Sequence, residues 1–246
     1  MKKAGGAPAL RRYLPSQEVP FQFASPALPG VGVHVLGPAR DPAYRRKRNV
    51  PAEWGVSGNG FAPGADDDGS PFGSEWRIPR LPPRLPFQKK SLDAIRLYND
   101  DLLSAAAAAD AFLNGESLVL VLEIGNARLL LPGDAEVAAW QKILADPNAT
   151  ALASGATFLK CGHHGSHNAT PLIFLQDHLA PHTPVMMSTQ EGPGRYRNNI
   201  PLQGILDKLT ARQMPLARSD QPAALQQGGP FTAGANQLWI DCALPC

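Results

Sequence analysis

Leu159-Lys160-Cys161-Gly162-His163-His164-Gly165-Ser166-His167 joins two textures in nine residues. The first three positions close a run that starts at Thr157 and reads as a buried strand. Gly162 ends it, and three of the chain's six histidines follow between positions 163 and 167. Neutral imidazole is a common ligand for Zn, Fe and Ni, and carboxylates share such sites. The plain alternative is a polar turn whose histidines are satisfied by backbone groups. Histidine is not a favoured turn residue, however, and three together after an apolar strand point to a site.

Upstream, Leu130-Leu131-Pro132-Gly133-Asp134-Ala135-Glu136 repeats the arrangement. An apolar strand ends at a glycine and then presents a carboxylate. Asp134 could cap the helix that follows, a role worth roughly 1 kcal/mol, or it could be a ligand. Around these loops the pattern is regular. Ser117–Ile124 is a strand, Gly125-Asn126 a two-residue hairpin turn, and Ala127–Leu131 the return strand. Val137, Trp140, Ile143 and Leu144 mark a helix to about Ala145. After the histidines, Thr170 and Pro171 open a helix with Leu172, Leu175 and Leu179 on one face. A strand at Val185–Ser188 follows, then a helix carrying Leu202, Ile205, Leu206 and Leu209. Short strands near Pro215–Ala217 and Gln237–Asp241 finish the chain. The order is β-β-α-β-α-β-α-β, a mixed α/β layer. Function in such layers collects where loops leave the carboxyl ends of strands. Both loops hold that position.

The front of the chain is different. Residues 1–90 carry 14 of the 23 Lys and Arg, 7 of the 21 Asp and Glu, and 14 of the 25 prolines. Residues 1–31 read as irregular. Residues 32–38 form the first strand of the body, and 39–90 are a basic, Pro- and Gly-rich excursion, expected to be the least ordered part. Arg45-Arg46-Lys47-Arg48 within it would touch phosphates or simply be a solvated segment. From 91 the apolar spacing becomes helical to 113, so 91–246 is the patterned body. No apolar run approaches the roughly 20 residues that a bilayer needs, and nothing after Lys2 and Lys3 resembles a signal peptide. Three cysteines without a Cys-x-x-Cys argue against a disulfide framework. The expected setting is cytoplasmic, with no membrane partner, and Cys161 is expected to be a small buried hydrophobe.

Taken together, Leu129-Leu130-Leu131-Pro132-Gly133-Asp134-Ala135-Glu136 and Leu159–Ser166 resemble the metallo-β-lactamase-fold hydrolases. They are most similar to the ComEC-type branch, named for the hydrolase domain of the competence DNA-uptake channel. Val33-His34-Val35-Leu36-Gly37-Pro38 resembles the strand that opens the second half of that fold. The resemblance spans about residues 30–220. It implies an α/β architecture, the C-terminal half of an αββα sandwich with a mixed sheet and helices on one face. It also implies a dinuclear metal centre, of Zn with Mn or Fe as alternatives. Asp134 would bridge the ions, His164 or His163 would ligate the second, and His163 would face the substrate. Asp134 and His163 are thus the catalytic candidates, and Ser166 and His167 the candidates for binding a substrate anion.

The chain departs from that family in its histidines. The family's His-x-His-x-Asp-His motif is absent, and His34 is the sole histidine before residue 163. Tyr196–Pro201 also lacks the histidine found there in some relatives. The implied activity is hydrolysis of phosphodiester or other ester-like bonds, by a chain inactive alone and completed by a separate chain or an upstream segment. The alternatives are a non-catalytic scaffold and, through the basic front, a nucleic-acid contact. Three structural expectations follow. The sheet should expose an apolar face where the missing half would pack. Residues 39–90 should be the first to be cut by proteases. Asp134 should lie beside His163 or His164 at one end of adjacent strands.

Overall fold

Seven strands form one sheet in the order of the chain. They are β1 (Phe21–Ala24), β2 (Val31–Gly37), β3 (Val119–Ile124), β4 (Ala127–Leu131), β5 (Phe158–Lys160), β6 (Val185–Met187) and β7 (Leu216–Arg218). Pairing is antiparallel from β1 to β4 and parallel from β4 to β7. The computed structural model describes residues 18–39, 114, 116–190 and 200–244. The helix expected over 91–113, the excursion 40–90 and residues 196–199 lie outside the described residues. Among the described residues no helix is long and apolar enough to cross a membrane.

Alternation along the strands sorts side chains between two faces. Val119, Val121, Leu130, Leu159, Cys161, Val185 and Met187 face one way. There they form the main core with α1 (Val137–Ala145), α2 (Pro147–Ser154) and α3 (Gln203–Ala211). Trp140, 1% exposed, lies near its centre. The fold is therefore the expected mixed α/β layer. Cys161 is a buried free thiol, pushed above its ordinary value chiefly by that burial.

The other face departs from expectation, because it is not bare. A hairpin of β8 (Phe231–Ala233) and β9 (Ile240–Cys242) brings Phe231 onto Phe158 and Ala217, with Leu129, Leu131 and Met186 packed around them. At the other end of the face, Val19 and Phe21 cover Val35 and Leu120. Leu122 is partly covered, and Ile124 is exposed. Among the described residues both ends of this face are thus covered.

Several element boundaries also need correction. Residues 1–31 are not all irregular: β1 pairs Phe21 with Val35 and Phe23 with Val33. A second helix, α2, follows α1 directly. It is capped by Asp146, whose carboxylate accepts from the Asn148 and Ala149 N–H groups, with Pro147 in the first turn. The helix expected from Pro171 contains a wide turn, Phe174–His178, closed by the Leu179 N–H on the Phe174 carbonyl. The extra residue in that turn brings Phe174 inward beside Leu175, and Leu172 is only partly buried. Gln237 lies in a tight turn and not in the last strand, which begins at Ile240.

His34 is part of the sheet's own bonding. Its Nε2–H donates to Glu123 Oε2 at 2.7 Å, and Arg128 Nε donates to Glu123 Oε1 at 2.8 Å. The bond from His34 holds the Glu123 carboxyl below its ordinary 4.5, with the charges of His34 and Arg128 adding and burial opposing. A depressed carboxylate stabilises the fold above its unfolded pKa, and that contribution is lost as pH falls through the lower folded one. Urea unfolding of the wild type should therefore weaken below about pH 4.5 more steeply than that of Glu123→Gln. Equal acid sensitivity of the two proteins would remove this role from the pair.

Candidate functional site

β4 and β5 are parallel neighbours, with Leu129 beside Phe158 and Leu130 beside Leu159. The loops that follow them therefore leave the same end of the sheet. They touch: the His163 N–H donates to the Gly133 carbonyl at 3.2 Å, one residue before Asp134. Gly162 makes that approach possible. A Cβ there would lie 2.8 Å from the Ala169 carbonyl and 3.2 Å from the Gly133 carbonyl.

The loop is a tight turn at His163–Gly165. His163 (φ 37°), His164 (φ 56°) and Gly165 (φ 80°) occupy the left-handed region in succession. Glycine takes that region freely. For histidine it costs energy, and such strain concentrates at functional positions.

Asp134 is exposed and carries no cap. Helix α1 starts at Val137 with Glu136 in the cap position, and no side chain caps it. The capping role considered for Asp134 therefore does not hold, and its carboxylate makes no hydrogen bond among the described residues.

His164 is exposed, and its Nδ1 lies 2.7 Å from the Ser188 carbonyl just beyond β6. A carbonyl only accepts, so Nδ1 carries the proton and the ring is held with Nε2 outward. In the neutral ring Nε2 then keeps its lone pair. Metal-binding histidines are commonly oriented in this way. His163 Nδ1 and His167 Nε2 are buried without a hydrogen-bond partner among the described residues. Burial, with His163 adding, holds the His167 ring below its ordinary 6.5.

Ser166 is buried, and its hydroxyl donates to Asn168 Oδ1 at 2.6 Å. Asn168 Nδ2 in turn donates to Glu136 Oε1 at 3.0 Å, which also accepts from Asn114. Ser166 thus braces the histidine loop against the start of α1. Glu136 and Asn168 were not singled out from sequence. Their pairing joins positions 32 apart, and no local pattern signals it.

A carboxylate and an outward imidazole nitrogen are suitable donors for a divalent ion. Catalytic zinc sites use three protein ligands. Among the described residues no three His, Cys, Asp or Glu side chains gather to hold a metal. The described residues therefore do not form a complete metal site.

Comparison with known proteins agrees with the ComEC-type resemblance and leaves the fold family open. The chain is 33% identical over 126 residues to ComE operon protein 3 of Bacillus subtilis (strain 168). The alignment covers 51% of this chain and 15% of that protein, so the chain spans a small fraction of its relative's length. No family model matches the chain. No solved structure matches it.

Proposed function

We propose that this chain carries the second half of a metal-dependent hydrolase site, acting on phosphodiester or other ester-like bonds. Asp134 and His164 are its donors, and the remaining ligands come from outside the described residues. The observation that supports this most directly is the orientation of His164, whose Nδ1–H is fixed on the Ser188 carbonyl while Nε2 faces outward. The bond between His163 and Gly133 keeps the two loops together. A divalent ion bound there would supply a water that ionises near neutral pH and would polarise the bond under attack. The chain's own part is to hold that ion in place: Asp134 offers an unshared carboxylate, and His164 a positioned ring. ComE operon protein 3 is the relative whose similarity accompanies this reading.

Zinc titration of the full chain by calorimetry tests it. Wild type should bind zinc. Asp134→Asn and His164→Ala should each weaken binding by more than the roughly 10–100-fold that losing an outer-shell partner costs. Asp134 is exposed and makes no hydrogen bond among the described residues, so Asp134→Asn should leave stability within about 0.5 kcal/mol. A second reading is a non-catalytic scaffold, in keeping with the lack of a three-donor set among the described residues. Equal zinc affinity in the wild type and in both variants would establish that reading instead.

A further inference from the structure

Lys160 occupies an unusual position. Its neighbour Leu159 faces the helices, so by alternation Lys160 shares the opposite face with Phe158. That face is apolar around it. Met186 is its partner on β6, and Leu131 lies in step with it on β4. Lysine is rarely placed in such surroundings without a partner for its charge. The side chain is partly buried, and its ammonium reaches along the strand toward its carboxyl end. Instead Nζ donates to the Cys161 carbonyl at 3.1 Å, at the very end of the strand where the histidine loop begins.

An ammonium has three donors, and this bond uses one. Among the described residues no second hydrogen bond and no ion pair occupies the other two. Asp134 lies within electrostatic reach of Lys160 without bridging it. A lysine serving only to cap the Cys161 carbonyl would need no charge.

We infer that Lys160 is an anion-binding residue of this site, whose ammonium takes a phosphate oxyanion of the substrate lodged beside Asp134 and the histidine loop. The inference rests on the hydrolase reading for the meaning of "substrate", and it names the group through which that substrate is held. It also gives the arrangement of charge a purpose. Asp134 is the donor for a cation, and Lys160, one strand away, is the donor for the anion that the cation would activate.

The test is made without metal, so that it can fail separately from the zinc titration. Inorganic phosphate and dimethyl phosphate are titrated into the full chain and into Lys160→Met, Lys160→Arg and Asp134→Asn. Methionine suits the apolar face and is close in size, so Lys160→Met should fold, with a melting midpoint at or above that of the wild type. It should lose at least about tenfold in affinity for either probe that the wild type binds, the scale of a charge-assisted hydrogen bond. Lys160→Arg should retain binding. Asp134→Asn should bind more tightly, because a like charge beside the anion is gone. Zinc affinity should not fall in Lys160→Met, because the change removes a positive charge from beside Asp134. Binding of dimethyl phosphate assigns a diester, and binding of inorganic phosphate alone assigns a monoester or free phosphate. Equal affinities in wild type and Lys160→Met, or no binding of either probe by the wild type, would overturn the inference. So would a fall in melting midpoint in Lys160→Met with phosphate affinity retained, since that outcome marks a purely structural role for the bond to the Cys161 carbonyl.

Discussion

Trp140→Ala is expected to lower the unfolding free energy by about 3–5 kcal/mol, the cost of removing a large buried ring from a core. Trp140 is almost fully buried, and its ring lies 4.7 Å from that of Phe174 between centroids. The indole N–H also donates to the Ala169 carbonyl at 3.0 Å. Alanine would leave a cavity and a carbonyl without its donor. Trp140→Phe would keep most of the packing and lose only the bond, at about 1–3 kcal/mol for the unsatisfied group. Urea unfolding followed by circular dichroism measures both. A loss below 1 kcal/mol for alanine would mean that Trp140 is not the centre of the core.

The same Ala169 carbonyl governs the second expected result. Gly162→Ala should cost about 1–3 kcal/mol in overpacking, and it should also abolish the zinc binding proposed above. The new methyl group would meet two backbone carbonyls, those of Ala169 and Gly133, and backbone cannot swing aside. To make room the loops must part, which breaks the bond from His163 to Gly133 and separates the two donors. Gly155→Ala is the control. There the added Cβ would meet the guanidinium end of Arg128 at 2.5 Å, a side chain that can shift at the expense of its bond to Glu123, so stability should fall while zinc binding is kept. Intact zinc binding in Gly162→Ala would mean that the contact between the loops does not position the donors.

What the sequence made legible was whatever local pattern decides. The β3–β4 hairpin turns at Gly125-Asn126 as read, with Ile124 opposite Ala127. Helix α1 covers the expected residues because Trp140 and Ile143 recur at helical spacing. The two site loops leave one end of the sheet because parallel neighbours must present their carboxyl ends together. Other features depended on partners distant in the chain. β1 is four residues between Pro20 and Pro26, and its strand character comes from pairing with β2. β8 is three residues long and exists through β9. α2 does carry a start signal, Asp146-Pro147, directly after the last residue of α1. Lys160 was hidden in a different way, as a single charge in a run read as apolar. The bond that orients His164 runs to Ser188, 24 positions away, and only the pairing of β5 with β6 reveals it.

The junction between β2 and β3 has a consequence for chain entropy. His34 and Glu123 meet in adjacent strands although 89 positions separate them, so forming this pair closes a very long loop. Closure entropy grows only with the logarithm of loop length, about 0.6 kcal/mol per doubling. Most of that cost is already incurred by a loop of half the size. Insertions or deletions of tens of residues between Ala39 and Asn114 would thus change the free energy of pairing by less than one hydrogen bond typically contributes. The pairing of β2 with β3 therefore sets only a weak entropic limit on the number of residues between them, and the register of the sheet rests on its own cross-strand bonds.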